Sequence, residues 1–138
     1  MSYRVQLPVR FGDIDQARIV YYPRFFHLFH VAFEEFFREE VRLPYDHVLR
    51  DLNIGFPTVH IDADFKSPLQ YGDKVNIDLS VVRIGNHSLT CRYQALRASN
   101  QELCAVASIT TAIVSMIDFK PTSLTPELRA AFSKHLAA

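Results

Sequence analysis

Between Pro23 and about Val41 the chain concentrates phenylalanine so heavily that few folds can accommodate it. Six of its eleven phenylalanines fall here. Phe25, Phe29 and Phe36 recur with Ala32 at helical spacing, and Phe26, Phe33 and Phe37 form a second row beside them. An apolar stripe that wide belongs to a helix wrapped on several sides, not one resting on a surface. Pro23 suits the first turn, where its missing N–H matters least. The polar end at Glu34, Glu35, Arg38, Glu39 and Glu40 is expected to emerge into solvent, and Leu43-Pro44-Tyr45 closes the helix.

On either side of this helix the period changes to two. Val5, Leu7, Val9 and Phe11 alternate with polar residues between Tyr3 and Phe11, and Pro8 marks an edge or a bulge. Asp46 to Asn53 reads as a short second helix or turn. Four strands follow: Thr58 to Lys66, Lys74 to Ile84, Ser88 to Arg97 and Leu103 to Ile117. Gly85-Asn86 marks a hairpin, Ser99-Asn100-Gln101 a further turn, and Thr125-Pro126-Glu127 a terminal helix start. The expectation is an α+β fold: a five-stranded antiparallel meander wrapped around one long buried hydrophobic helix, as one domain over residues 1–138.

Composition narrows the chemistry. A chain of 138 residues, 49% hydrophobic and 22% charged, is ordinary for a soluble globular protein. It buries roughly 70% of its unfolded surface, so folding calls for no disulfide or metal. Fifteen basic and fifteen acidic residues cancel, which argues against nucleic-acid binding by bulk charge and against a polybasic membrane binder. The four glycines, Gly12, Gly55, Gly72 and Gly85, are too scattered for a phosphate-cradling loop or a GxSxG elbow. Cys91 and Cys104 read as free thiols. With neither a signal-peptide h-region nor an 18-residue apolar run, the expected setting is the cytoplasm.

The segment Phe11-Gly12-Asp13-Ile14-Asp15-Gln16-Ala17-Arg18-Ile19-Val20-Tyr21-Tyr22-Pro23 carries the most chemistry. It places carboxylates just before a helix N-terminus, where unpaired backbone N–H groups stabilise negative charge. Such N–H groups can hold an oxyanion, and a nearby carboxylate can attack a carbonyl or take a proton from water. Asp13 and Asp15 could equally cap turns. His60, Asp62 and Asp64 share one face of a strand and read as a polar sheet face or pocket wall rather than a metal site. His27 and His30, with Glu34 a turn further on, read as histidines at the core margin with hydrogen-bond partners.

Gly12-Asp13-Ile14-Asp15, then Ile19-Val20-Tyr21-Tyr22-Pro23 leading into the aromatic helix, resembles the hot-dog-fold acyl-CoA thioesterases of the 4-hydroxybenzoyl-CoA thioesterase family. The resemblance continues through Asp64 to Asp73 and Ile84 to Leu89. It implies hydrolysis of an acyl-CoA thioester, with Asp15 as the catalytic carboxylate, the Tyr22 backbone N–H polarising the carbonyl, and Asp13 structural. It further implies substrate contacts from Arg18, Val20, Tyr21, His60, Asn86, His87 and Ser88. No cofactor or metal is called for, because coenzyme A belongs to the substrate. A homodimer or homotetramer with sites at subunit boundaries is also implied. Departures from the family are Arg18 in place of a glycine, Gln16 where proline is common, and Ile19 where many relatives have histidine. The hairpin at Gly85-Asn86-His87-Ser88, with Arg83 nearby, lacks the basic residues some relatives use for CoA phosphates. Two alternatives remain: a hydratase or dehydratase using His30 or Glu34, and a non-catalytic acyl-CoA-binding module.

Overall fold

The computed structural model describes residues 2–137. Its elements are β1 (Tyr3–Pro8), a 3-10 turn (Phe11–Asp13), α1 (Tyr22–Phe36), a π turn (Phe37–Val41), α2 (Tyr45–Arg50) and β2 (Ile54–Gly55). They continue with β3 (Thr58–Phe65), β4 (Lys74–Ile84), β5 (Ser88–Arg97), β6 (Leu103–Ala112), β7 (Val114–Ser115) and α3 (Pro126–Ser133). Five strands form an antiparallel sheet in the order β1-β4-β5-β6-β3.

The sheet wraps α1 as expected, because the inner faces of the strands and the aromatic helix have only each other to exclude water. Ile77, Leu79, Cys91, Tyr93, Ala95 and Ala107 are buried under Phe29, Ala32, Phe33 and Phe36. Phe29 stacks on Tyr93 with ring centroids 5.2 Å apart, and Phe36 stacks on Phe132 of α3 at 4.9 Å. The expected helix continues past Phe36 as a π turn, which allows Phe36 and Phe37, adjacent in sequence, both to be fully buried. Arg42 then ends it in the left-handed region.

Three features differ from the sequence expectation. The meander covers only β4, β5 and β6; β3 does not pair with β4 but crosses the end of the sheet to the opposite edge, beside β6. The expected strand from Leu103 to Ile117 stops at Ala112, because the chain bends at buried Ile113, and Val114–Ser115 pairs with Ile54–Gly55 in a separate two-stranded ladder. Finally, a bulge at Val59 shifts the register between Thr58 and His60. That extra residue turns Thr58 to the same face as Ile61, towards α1, while His60, Asp62 and Asp64 face outward.

Since Phe36 is fully buried between Tyr3, Phe37 and Phe132, Phe36→Ala should lower the unfolding free energy by about 3–5 kcal/mol. Urea denaturation followed by far-UV circular dichroism measures this directly, and a loss under about 1 kcal/mol would show that this contact does not hold helix and sheet together.

Candidate active site

The segment between β1 and α1 is a small hairpin held by its own backbone. Ile14 and Val20 form a bridge, the Asp15 N–H donates to the Ile19 carbonyl at 3.0 Å, and the Tyr21 N–H donates to the Asp13 carbonyl at 2.9 Å. Two further backbone bonds dock this end of the molecule on the β3–β4 crossover: Val20 N–H to the Leu69 carbonyl at 2.8 Å and Val9 N–H to the Asp73 carbonyl at 2.9 Å. Leu69 is itself fully buried and plugs the sheet end.

The two aspartates are placed differently. Asp13 is 4% exposed. Its Oδ1 accepts from the Arg24 guanidinium Nε at 3.0 Å and from a terminal nitrogen at 2.8 Å, and its Oδ2 accepts from the Arg10 N–H at 2.8 Å. A carboxylate so engaged, bonded to the first turn of α1 and to the loop start, is a clamp. Asp15 is exposed. Its Oδ1 accepts from the Ala17 N–H at 2.8 Å, whereas Oδ2 accepts from no described residue. One oxygen orients the carboxylate and the other is free to act.

The start of α1 leaves the Tyr22 N–H open. Tyr21 N–H is taken by Asp13, Pro23 has no N–H, and Arg24 N–H donates back to the Tyr21 carbonyl at 2.8 Å. Among the described residues nothing accepts from the Tyr22 N–H. Two residues around it remove the competing donors, and the helix dipole reinforces its partial positive charge. Beside it lies a groove of about 330 Å³ between Ile19, Val20, Tyr22 and Phe25 on one side and Phe65 to Pro68 on the other.

Of the other expected contact residues, Val20 is buried in the groove wall, and Tyr21 is half-exposed with its ring against that of Tyr22. Arg18 is exposed with φ 69°, in the left-handed region that favours glycine. His60 lies on the outer face of the sheet, bonded to Asp62 at 3.0 Å. Asn86, His87 and Ser88 sit at the far end of the sheet: β5 runs from Ser88 to Arg97, roughly 30 Å at the usual strand rise. There the His87 Nδ1–H donates to the Thr122 carbonyl at 3.0 Å. One chain therefore brings together Asp15, Arg18, Val20, Tyr21 and Tyr22, but neither His60 nor the 86–88 hairpin joins them. Phe65, Lys66 and Ser67 in the opposite wall carry no functional signal in the sequence, where Thr58 to Lys66 reads only as a strand and the residues after it as a turn.

The remaining candidates have other placements. His30, at the core margin, bonds Glu34 at 3.0 Å and rests its ring 6.1 Å from that of buried Phe33, while its outer side and His27 are exposed. Among the described residues no three His, Cys, Asp or Glu side chains gather to hold a metal, and no helix is long and apolar enough to cross a membrane. Burial pushes the Cys91 thiol up to about 12 and also raises that of Cys104, so neither is a ready nucleophile.

A sheet wrapped round one helix, with an open N–H at the helix start and an exposed carboxylate in the hairpin that leads into it, is an enzyme of the hot-dog architecture. Residues 9–132 match the family model of the thioesterase-like superfamily, and the chain belongs to it as a thioester hydrolase. It is 24% identical over 123 residues to the 1,4-dihydroxy-2-naphthoyl-CoA hydrolase of Synechocystis, covering 89% of this chain and 88% of that protein. The enzyme of the same name from Crocosphaera subtropica is 27% identical over 129 residues, covering 94% and 87%. A thioesterase-superfamily structure from Jannaschia superposes with a TM-score of 0.90 at 25% identity, covering 99% of this chain and 94% of that one.

A left-handed arginine costs about 1–2 kcal/mol relative to its relaxed backbone, partly offset on glycine substitution by the freer unfolded chain. Arg18→Gly should therefore raise the unfolding free energy by about 0.5–1 kcal/mol. A urea midpoint that falls instead would show that the arginine side chain makes a stabilising contact of its own.

Proposed function

We propose that this protein hydrolyses an acyl-CoA thioester to a free acid and coenzyme A. The observation that carries the proposal is the open Tyr22 N–H at the start of α1, with an exposed carboxylate, Asp15, keeping one oxygen unengaged in the hairpin that leads into it. In this reading the thioester carbonyl oxygen accepts from the Tyr22 N–H, which strengthens as negative charge develops on that oxygen. Asp15 acts by one of two routes that use the same atoms. As a base, it takes a proton from water, whose oxygen bonds to the acyl carbon while the C–S bond breaks and the thiolate receives the proton. As a nucleophile, it forms an acyl anhydride as the C–S bond breaks and the thiolate leaves; water then cleaves the anhydride, releasing the acid, restoring the Asp15 carboxylate and supplying the proton that the thiolate takes up. Either route needs no further cofactor. The buried thiols suit the reducing cytoplasm, where CoA esters are made and used.

The site is completed by a second copy in this reading. β3 ends the sheet with an unpaired edge, and Val59, Ile61 and Phe65 are exposed on it. Antiparallel pairing of two such edges would lay the Phe65 end of one copy beside the Thr58 end of the other. His60 and the 86–88 hairpin would thereby approach the groove at Tyr22 of the second copy, next to the hairpin that carries Asp15 and Arg18.

Thiol release from a panel of aromatic and aliphatic acyl-CoAs tests the chemistry. Wild type should turn over at least one ester, and Asp15→Asn should lose roughly a hundredfold or more in kcat/KM. An active Asp15→Asn would reduce Asp15 to a turn residue. Product analysis separates a hydratase, which would return a modified CoA ester instead of free thiol. For the assembly, sedimentation equilibrium should give at least twice the chain mass of 15.9 kDa; a monomer at concentrations that support turnover would sink the shared site.

A further inference from the structure

The cleft between α1 and β3 is divided in two. At the start of α1 lies the groove just described, beside Tyr22 and Phe25. Further along the helix, about 12 Å from Tyr22 to His30 at the helical rise, lies a second and more enclosed cavity of about 80 Å³. Phe26, Phe33, Ile61 and Tyr93 form its apolar walls, and His30, Thr58 and Thr111 its polar groups. The bulge at Val59 contributes here by turning Thr58 inward beside Ile61.

One side chain stands between them. The Phe65 ring lies 6.0 Å from Tyr22 and 5.5 Å from Phe25 on the groove side, and 6.1 Å from Phe26 on the side of the inner cavity. It is 45% exposed, so it is no part of the closed core, and its removal would not empty a packed site. Behind it on the same face of β3 is Ala63, too small to close the passage by itself.

We propose that Phe65 sets how far an acyl group can reach. With the ring in place, an acyl chain entering beside Tyr22 ends in the groove. Without it, groove and inner cavity become one channel between α1 and β3, and longer chains bury additional methylenes against Phe26, Ile61 and Tyr93. Phe65 is thus a specificity residue that touches the acyl group and takes no part in bond making. This inference rests on the thioesterase reading above.

The experiment is a kcat/KM profile for saturated acyl-CoAs of increasing length with wild type, Phe65→Ala and Phe65→Leu. Each extra methylene buried should be worth about fourfold, so Phe65→Ala should shift the optimum to longer chains and Phe65→Leu should shift it less. Adding Ile61→Phe to Phe65→Ala refills the inner cavity and should return the optimum towards wild type. Circular dichroism checks that each variant folds, and Phe65→Leu carries the test if Phe65→Ala does not. An active wild type with the same optimum in a folded Phe65 variant overturns the role of Phe65 and leaves the thioesterase reading standing. A wild type that hydrolyses no ester in any panel overturns that reading itself.

Discussion

Burial of the α1 aromatic face against the sheet is the contact on which the rest of the structure depends. Phe29, Phe33 and Phe36 cannot be covered by one neighbouring helix, so the sheet must curve around them. α3 then closes the remaining side, with Phe132 stacked on Phe36, and the chain beyond it reaches Val81 of β4 through a bridge at Leu136. His135, buried in this seam, holds Glu40 at 3.0 Å. Because the helix is fixed in place along its length, its N-terminus is fixed as well, and the Tyr22 N–H sits on a rigid element.

The hairpin that leads into α1 is positioned by a second, smaller set of bonds. Asp13 ties Arg24 of α1 to the backbone of Arg10, and the Leu69 and Asp73 carbonyls tie the same region to the β3–β4 crossover. The hairpin from Asp13 to Tyr21 is thereby held at both ends, while Asp15 at its exposed turn retains a free oxygen. Two carboxylates two residues apart have opposite surroundings, one buried against a guanidinium and the other facing water. Pro23 contributes by subtraction: it has no N–H to compete with the open Tyr22 N–H beside it.

Much of this is legible in the residues. The phenylalanine spacing identified the helix, the alternation of Val75, Ile77, Leu79 and Val81 identified a sheet strand, and Thr125 marked α3, where its hydroxyl accepts from the Leu128 N–H at 3.2 Å. The loop motif pointed to the family, whereas the left-handed backbone at Arg18, which stands where the family has glycine, came only from the structure. Order along the sheet was not legible, because a strand of given period can pair on either side of any other. The short β2–β7 ladder was equally hidden, being two residues long on each side with no pattern to repeat.

Local chemistry thus determined the element types, the wrapped helix and the loop that carries the carboxylate, since periodicity, proline and aspartate act over a few residues. Tertiary structure alone decided which residues meet. Crossing β3 to the far edge brought Phe65 and Lys66 to the start of α1. The bulge at Val59 turned Thr58 inward, and the length of β5 carried the 86–88 hairpin away from the groove. Each of these is a long-range choice set by which packing of strands around α1 buries the most apolar surface, and no short stretch of sequence contains that comparison.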